Sequence, residues 1–252
     1  MVALAASHGA NTDVLVNGNI VSQYFTDLTF TSSRDKAETS AFKSLFKSYV
    51  AGLIDPVVTL SGLFDSSGST AEDALLYSYL TSLTTQDNSW IYAPVGAVGS
   101  SAQNVVAYAV FGQSVKYEVK SAMNAANLIT AEIQIDNQGG GVERSVILSP
   151  WATQGAGGNS SSFDSGVTST ANGGVFIVQT FNDTASLVVN LQDSADNSTF
   201  ANVTSYTISP TNATTAAYRF PAAGVTPTGT VRRYTRVTWT GTGTFLAMFA
   251  RH

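Results

Sequence analysis

Short apolar segments with period-two alternation run along almost the whole chain, and turn-forming residues separate them. The first segment, Val14–Val16, precedes Asn17 and Gly18, a dipeptide suited to the positive φ angles of a tight hairpin turn. Similar segments follow as "SWIYAPVG", "NVVAYAVFG", "VKYEVKSA", "LITAEIQIDN", "ERSVILS", "GGVFIVQTF", "VRRYTRVTWTG" and "TGTFLAMFA". Alternating segments of this length bounded by Gly, Asn and Pro are typical of antiparallel sheets. The sequence therefore predicts a mainly β fold.

One segment has the pattern of a helix instead. Ser69 and Glu72 fit a capping box at the start of "STAEDALLYSYLTSL". An apolar face at helical spacing then consists of Leu75, Leu76, Tyr79, Leu80 and Leu83. We predict a single amphipathic helix over residues 69–83 that covers a sheet.

The composition changes near residue 150. The first 160 residues carry seven Lys or Arg and thirteen Asp or Glu, whereas the remainder carries five and four. A Gly-, Ser- and Asn-rich segment, residues 151–170, lies at this change and is typical of a linker. We therefore predict two domains: residues 1–150, a β-sandwich or open barrel with one helix, and residues 171–252, an antiparallel β-sandwich.

A long segment between two strands, Arg34–Leu53, combines charges of alternating sign with aromatic residues. Phe42, Phe46 and Tyr49 fall at three- and four-residue spacing, which favours a partly helical excursion. Such an insertion is either a solvated loop or an arm that contacts a neighbouring subunit.

The residues that usually carry catalysis and metal binding are scarce. The chain has no cysteine, which excludes disulfides and thiolate metal sites, and its two histidines, His8 and His252, lie near the ends and are expected to be solvated. No pair of carboxylates has the context of a catalytic dyad. No apolar run is long enough to span a bilayer and no export signal is visible. We expect no enzymatic activity, no cofactor, no metal and no membrane partner.

Four of the twelve basic residues lie in the last two strand segments: Arg232, Arg233, Arg236 and Arg251. Period-two alternation places Arg232, Tyr234 and Arg236 on an outer face. It places Arg233 on the inner face with Val231, Thr235, Val237 and Trp239. The outer residues either bind an anion or an acidic partner, or keep an edge strand soluble. A net charge of −5 argues against a surface that tracks nucleic-acid phosphates.

The stretch "QDSADNSTFA" brings Asp193, Asp196 and Asn197 close together in sequence. It lacks the spacing and the terminal bidentate glutamate of a calcium-binding loop. We therefore predict a turn stabilised by Asp side chains.

The N-terminal half resembles the tail tube (major tail) proteins of long-tailed bacteriophages. The similarity rests on "DVLVNGNIVSQYFTDLTFTSSRDKAETSAFKSLFKSYVAGLIDPVVTLSGLFD", at about residues 13–65, and continues in style through "DNSWIYAPVG", "VKYEVKS" and "ERSVILS" to about residue 150. The C-terminal half resembles β-sandwich additions of virion proteins, through "LQDSADNSTFANVTSYT" and the arginine-rich segment.

The resemblance implies a ring subunit, usually hexameric, whose strands join across subunits and whose rings stack into a tube that DNA passes without specific binding. It implies a virion tail protein, made in the bacterial cytoplasm, that contacts itself and other tail proteins. Assembly contacts would come from the 34–53 segment, through Arg34, Asp35, Lys36, Glu38, Phe42 and Phe46. The C-terminal domain would lie on the outside of the tube.

Two other functions remain open at this point. One is a capsid decoration or cement protein. The other is a carbohydrate-binding module that uses Tyr234, Arg236 and Trp239. Trp239 is predicted on the inner face, which favours a core role for that residue.

Overall fold

A computed structural model describes residues 11–39, 49–64, 72–81, 88–121, 128–134, 142–181, 187–209, 216–221 and 228–252. The helix α1 spans Glu72–Thr81. The strands are β1 (Asp13–Val16), β2 (Asn19–Ile20), β3 (Phe25–Glu38), β4 (Tyr49–Leu63), β5 (Asn88–Ala93), β6 (Val106–Lys120), β7 (Leu128–Gln134), β8 (Val142–Gln154), β9 (Gly157–Asn159), β10 (Phe163–Thr170), β11 (Gly174–Phe181), β12 (Val188–Ser194), β13 (Ala201–Ile208), β14 (Ala216–Phe220), β15 (Val231–Thr240) and β16 (Gly243–Arg251). The predicted mainly β fold is confirmed. Among the described residues, no helix has the length and apolar character needed to cross a membrane.

The chain divides into two compact units. The first contains the described residues of Met1–Gln23, Asn88–Phe111 and Asn137–His252, and the second those of Tyr24–Asp87 and Gly112–Asp136. The division thus falls within β6, after Phe111.

The first unit is built on two antiparallel sheets. The larger has the strand order β14-β11-β16-β8-β6-β5-β1-β2, and the smaller has the order β10-β15-β12-β13, with β9 also beside β15. One core cluster contains Phe176, Val178 and Phe245 of the larger sheet together with Val189 and Val237 of the smaller. The two sheets therefore pack face to face as a sandwich.

The central strands of the larger sheet are buried on both faces. In β11 and β16, alternate residues belong to different core clusters: Val175 and Ile177 to one, Phe176 and Val178 to the other. Burial on both faces explains why "GVFIVQTF" and "GTFLAMFA" are apolar runs with little alternation.

The predicted hairpin is confirmed. Strands β1 and β2 pair through Leu15↔Ile20, and the turn has Asn17 at φ 46° and Gly18 at φ 87°. Both positive φ angles match the turn type that Asn-Gly favours. The Gly18 amide also donates a hydrogen bond to the buried side chain of Gln179, at 3.0 Å.

The second unit is a four-stranded antiparallel sheet with α1. Its described strands run in the order β3-β4-β7-β6, where β6 contributes Gly112–Lys120. Leu60, Leu76 of the helix and Ile129 are almost completely buried. The predicted helix is confirmed over Glu72–Thr81; Ser69 of the predicted capping box lies outside the described residues.

The predicted linker over 151–170 is strand instead. Strand β8 continues to Gln154, and β9 and β10 both pair with β15. The polar composition of this segment is typical of a linker, but it also suits β10, an edge strand whose side chains are mostly exposed. Backbone hydrogen bonds to β15, rather than apolar burial, hold β10 in the sheet. The two units accordingly differ from the predicted domains, since strands after residue 171 share a sheet with β1 and β5.

The segment 34–53 also differs from its prediction. At its two ends the chain is strand, and β3 pairs with β4 through Lys36↔Ala51 and Glu38↔Tyr49. The excursion is therefore shorter than predicted, and residues 40–48, with Phe42 and Phe46, lie outside the described residues.

Candidate functional site

The residues predicted to make assembly contacts lie on the far part of β3. Arg34 pairs in register with Ile54, and the register shifts between Arg34 and Lys36, next to Asp35. The Lys36 ammonium lies 5.2 Å from the Tyr49 ring centroid, and the side chains of Lys36, Glu38 and Tyr49 are exposed. Their role in assembly stays a prediction.

The C-terminal arginines do not form one cluster. Arg232 donates from Nε to Asp193 Oδ1 at 2.8 Å. Arg236 donates from Nε to Gln192 Oε1 at 2.9 Å, and its guanidinium lies 3.9 Å from the Phe200 ring centroid. Each therefore binds a partner within the first unit.

The remaining two arginines are also engaged. Arg233 binds both carboxylate oxygens of Asp164 at 2.7 Å, and Arg251 donates to the carbonyl oxygen of Val231 at 2.9 Å. The four guanidinium groups thus join strands to one another. Because each of these four arginines has its own partner, they do not form a common anion site.

The predicted alternation of β15 holds for most residues. Val231, Thr235 and Val237 are buried, and Trp239 packs against the core as a partly buried residue. Arg233 is an exception, because its side chain is 40% exposed and reaches the edge strand β10, where the pairing with β15 breaks register after Asp164.

Hydrogen bonds perturb the ionisation of these pairs. The bond from Arg233 lowers the pKa of Asp164 from 3.8 to about 2, and a backbone amide bond from Gly166 adds to that effect. The hydrogen bonds that Arg232 donates to the Asp193 carboxylate raise the pKa of Arg232 above its ordinary value. Both effects favour the charged forms of Asp164 and Arg232.

The predicted Asp-stabilised turn is confirmed. Asp196 Oδ1 accepts from the backbone amides of Thr199 and Ser198 at 2.9 and 3.0 Å, and these bonds lower the pKa of Asp196. Asp193 is committed to Arg232 instead. In the described part of the chain, no group of three His, Cys, Asp or Glu residues could hold a metal ion.

The position of His252 near the chain end predicts a solvated side chain, but the structure places it beside a carboxylate. Its Nε2 lies 2.9 Å from Oε2 of Glu143, and Glu143 also binds Arg219 at 3.3 Å. The sequence could not reveal this group because its members are separated by many residues and meet only when β8 and β14 fold. His8 lies outside the described residues.

Among the described residues, the sheet of the second unit has two different edges that no further strand covers. In the order β3-β4-β7-β6, strand β3 lies at one edge and Gly112–Lys120 at the other. Val115 and Val119 on the β6 edge are 46% and 44% exposed. Long edge strands carry unpaired backbone amides and carbonyls that can pair with another chain. Sequence patterning predicted this strand but not that its valines would be exposed.

The two faces of this sheet differ. On one face Tyr117 contacts α1: its hydroxyl donates to Asp73, and its ring meets Tyr77 edge to face at 6.2 Å. The registers place small hydroxyl side chains and charges on the opposite face: Thr29, Thr59, Ser61, Thr130, Lys116 and Glu118. Lys116 binds Glu118 at 3.0 Å, and this contact lowers the pKa of Glu118. The face away from the helix is therefore polar.

A comparison with models of known protein families found no match for the chain, and a comparison with curated proteins found none either.

Among solved structures, similar chains belong to phage tails and related devices. A chain of the anti-feeding prophage cap, which terminates the tube, is 11% identical with a TM-score of 0.43, covering 56% of this chain and 92% of its own. A chain from the tail of an empty gene transfer agent particle, solved with C6 symmetry, is 9% identical with a TM-score of 0.41, covering 55% and 98%. The Dit protein of phage SPP1, described as a paradigm of the hub adsorption apparatus, is 10% identical with a TM-score of 0.38, covering 96% and 99%. Similarity at this level leaves function to be argued from the residues of this chain.

Proposed function

We propose that this chain is a structural protein of a virion tail. In this proposal six copies form a ring, and the rings stack into the tail tube through which DNA passes. The observation that carries the proposal is the pair of open edges on the second-unit sheet. The resemblance of residues 13–65 to tail tube proteins supports the same function.

Two unlike edges favour a ring over a dimer. If the β3 edge of one copy pairs with the β6 edge of the next, the contact is head to tail, and such contacts close into rings when the rotation permits. Both edges carry charges of both signs: Asp27, Lys36 and Glu38 are exposed on β3, and Lys116 and Lys120 on β6 pair with Glu118 of the same strand. Pairing would bury Val115 and Val119 and satisfy the edge amides and carbonyls.

The polar face of the second-unit sheet is the better candidate for the lumen. Thr59, Ser61 and Thr130 offer neutral hydroxyl groups, and Glu118 neutralises one of its two lysine neighbours. DNA would therefore meet few unpaired positive charges, which suits passage without binding. The other face is covered in part by α1 through Tyr117.

The same proposal accounts for the remaining partners. Lys36 and Glu38, with Phe42 and Phe46 of the segment outside the described residues, would contact a neighbouring ring, and other tail proteins would bind at the ends of the tube. Arg232, Tyr234 and Arg236 would lie on the outer surface. The protein would be made in the bacterial cytoplasm and act in the virion without catalysing a reaction.

The edges can be tested by placing charge on them. Val115→Asp combined with Val119→Asp would bury two carboxylates between copies, so we expect rings to be lost and monomers to remain. Val95→Asp is the matched control, because Val95 is 48% exposed in a turn of the first unit. Mass photometry and circular dichroism of all three proteins give the assembly state and the fold.

Retained rings in the double variant would show that the β6 edge is not the contact. Loss of rings in the Val95→Asp control as well would show that any added charge prevents assembly, which would also remove support from the edge argument. If the unaltered protein forms rings that do not stack, a hub made of a single ring would be favoured over a tube. If it is a monomer or a trimer, capsid decoration would be favoured.

A further inference from the structure

The first unit contains a cavity of about 300 Å³ beside Trp239. It lies between the end of β8, strand β9 and the turn before Gln103. Its apolar lining comes from Trp239, Pro150 and Ala152, and its polar lining includes Ser100, Gln154 and Ser161. This volume is at the lower end of the range for small-molecule sites.

The indole of Trp239 is held in place from several sides. Its Nε1 donates to the carbonyl oxygen of Gly155 at 3.2 Å, and its ring meets Phe245 edge to face with centroids 5.7 Å apart. Gly158 packs so closely that a Cβ there would lie 2.6 Å from the ring. The aromatic wall of the cavity is therefore pre-organised, which reduces the entropy lost when a ligand binds.

Polar groups with free hydrogen-bonding capacity line the same cavity. In the described part of the chain, the hydroxyls of Ser100 and Ser161 and the carboxamide of Gln154 have no hydrogen-bond partner. Gln103 is fixed nearby, because its Nε2 donates to the carbonyl oxygen of Leu148 at 2.9 Å. A ligand can therefore form hydrogen bonds here in exchange for those to water, without breaking hydrogen bonds within the protein.

The lining carries no charged side chain among the described residues. A phosphate or carboxylate entering it would lose hydration without gaining a counter-ion. A wholly apolar ligand would leave the Ser and Gln groups unpaired, which costs binding free energy. The chemistry that satisfies both constraints is a neutral ring with an apolar C–H face for the indole and hydroxyls for the polar groups.

We propose that this cavity binds a neutral saccharide. The site is distinct from the carbohydrate site considered from the sequence, because Tyr234 and Arg236 do not line the cavity. Only Trp239 is common to both. The proposal does not depend on ring formation, so the two can fail separately.

Indole resonances of nitrogen-15-labelled protein provide the test. The chain has three tryptophans, and Trp239→Phe identifies the resonance of Trp239. Glucose, galactose and N-acetylglucosamine are titrated separately. We expect at least one to shift the Trp239 Nε1–H resonance saturably, and Gln154→Ala to weaken its affinity about fivefold through one lost hydrogen bond. Gln113→Ala, at an exposed residue of the second unit, is the control and should bind like the unaltered protein.

Three results would overturn the proposal. One is that none of the three sugars shifts the Trp239 resonance. Another is that glucuronate binds as tightly as the neutral sugars, since a neutral lining should disfavour it. The last is that Gln154→Ala binds the sugar with unchanged affinity. Native positions of the Trp90 and Trp151 resonances would show that this variant is folded, so the result would mean that the carboxamide does not contact the sugar.

Discussion

Replacing Arg219 with methionine should destabilise the first unit strongly. The Arg219 and Glu143 side chains are only 8% and 6% exposed, and they bind each other at 3.3 Å. Methionine keeps much of the apolar stem but removes the guanidinium, and the buried Glu143 carboxylate keeps its contact with the His252 ring. Removing one member of a buried ion pair costs about 3–5 kcal/mol.

That cost is large for a domain whose total stability is roughly 5–15 kcal/mol. It corresponds to a melting temperature lower by roughly 6–20 °C in a unit of this size. The reason is desolvation of the orphaned carboxylate rather than loss of Coulomb attraction. Removing both charges, in Glu143→Leu with Arg219→Met, should therefore restore stability to within about 1 kcal/mol of the unaltered protein.

Urea denaturation followed by tryptophan fluorescence measures both variants. Trp90, Trp151 and Trp239 all belong to the first unit, so their emission reports its unfolding. A single variant that loses less than about 1 kcal/mol would refute the argument, because burial would then carry no penalty. The argument would also be refuted if the double variant lost as much unfolding free energy as the single variants Arg219→Met and Glu143→Leu lose together.

Three further predictions concern backbone strain, a buried amide and pH. Gly173→Ala should cost at least about 1–2 kcal/mol, because Gly173 has φ +67° and a Cβ would lie 2.6 Å from the Tyr206 hydroxyl; unchanged urea denaturation would contradict this. Gln179→Leu should cost about 2 kcal/mol or more, since Gln179 is fully buried and accepts from the Gly18 amide; a neutral effect in the same assay would show that the amide finds another partner. Asp164→Asn should flatten the acid side of the stability profile. Because the folded pKa of Asp164 lies at about 2, below 3.8, its stabilisation is complete above about pH 5 and is lost as pH falls through 3.8 and then through about 2; equal urea midpoints for both proteins throughout that window would contradict it.

Local patterns predicted the local elements of this fold well. Asn17 and Gly18 predicted the β1–β2 turn because the turn type needs the φ angles those residues tolerate. The helical spacing of Leu75, Leu76 and Tyr79 likewise predicts α1. In both cases the residues that determine the structure lie within the segment itself.

Long-range pairing was harder to predict. Residues 151–170 have a linker composition, yet pairing with β15, many residues later, makes β9 and β10 strands. Alternation within β15 predicts that Arg232 and Arg236 lie on the outer face. Their hydrogen-bond partners, Asp193 and Gln192, belong to β12, so the local pattern does not reveal these contacts. The cavity beside Trp239 depends on three separated segments and left no local signal.

Electron microscopy of the purified protein, with its mass measured in solution, tests the central claim most directly. The tail tube proposal predicts closed rings of six copies that stack into hollow tubes with a lumen wide enough for double-stranded DNA. A stable monomer that forms neither rings nor tubes, under conditions where both units are folded, would contradict it.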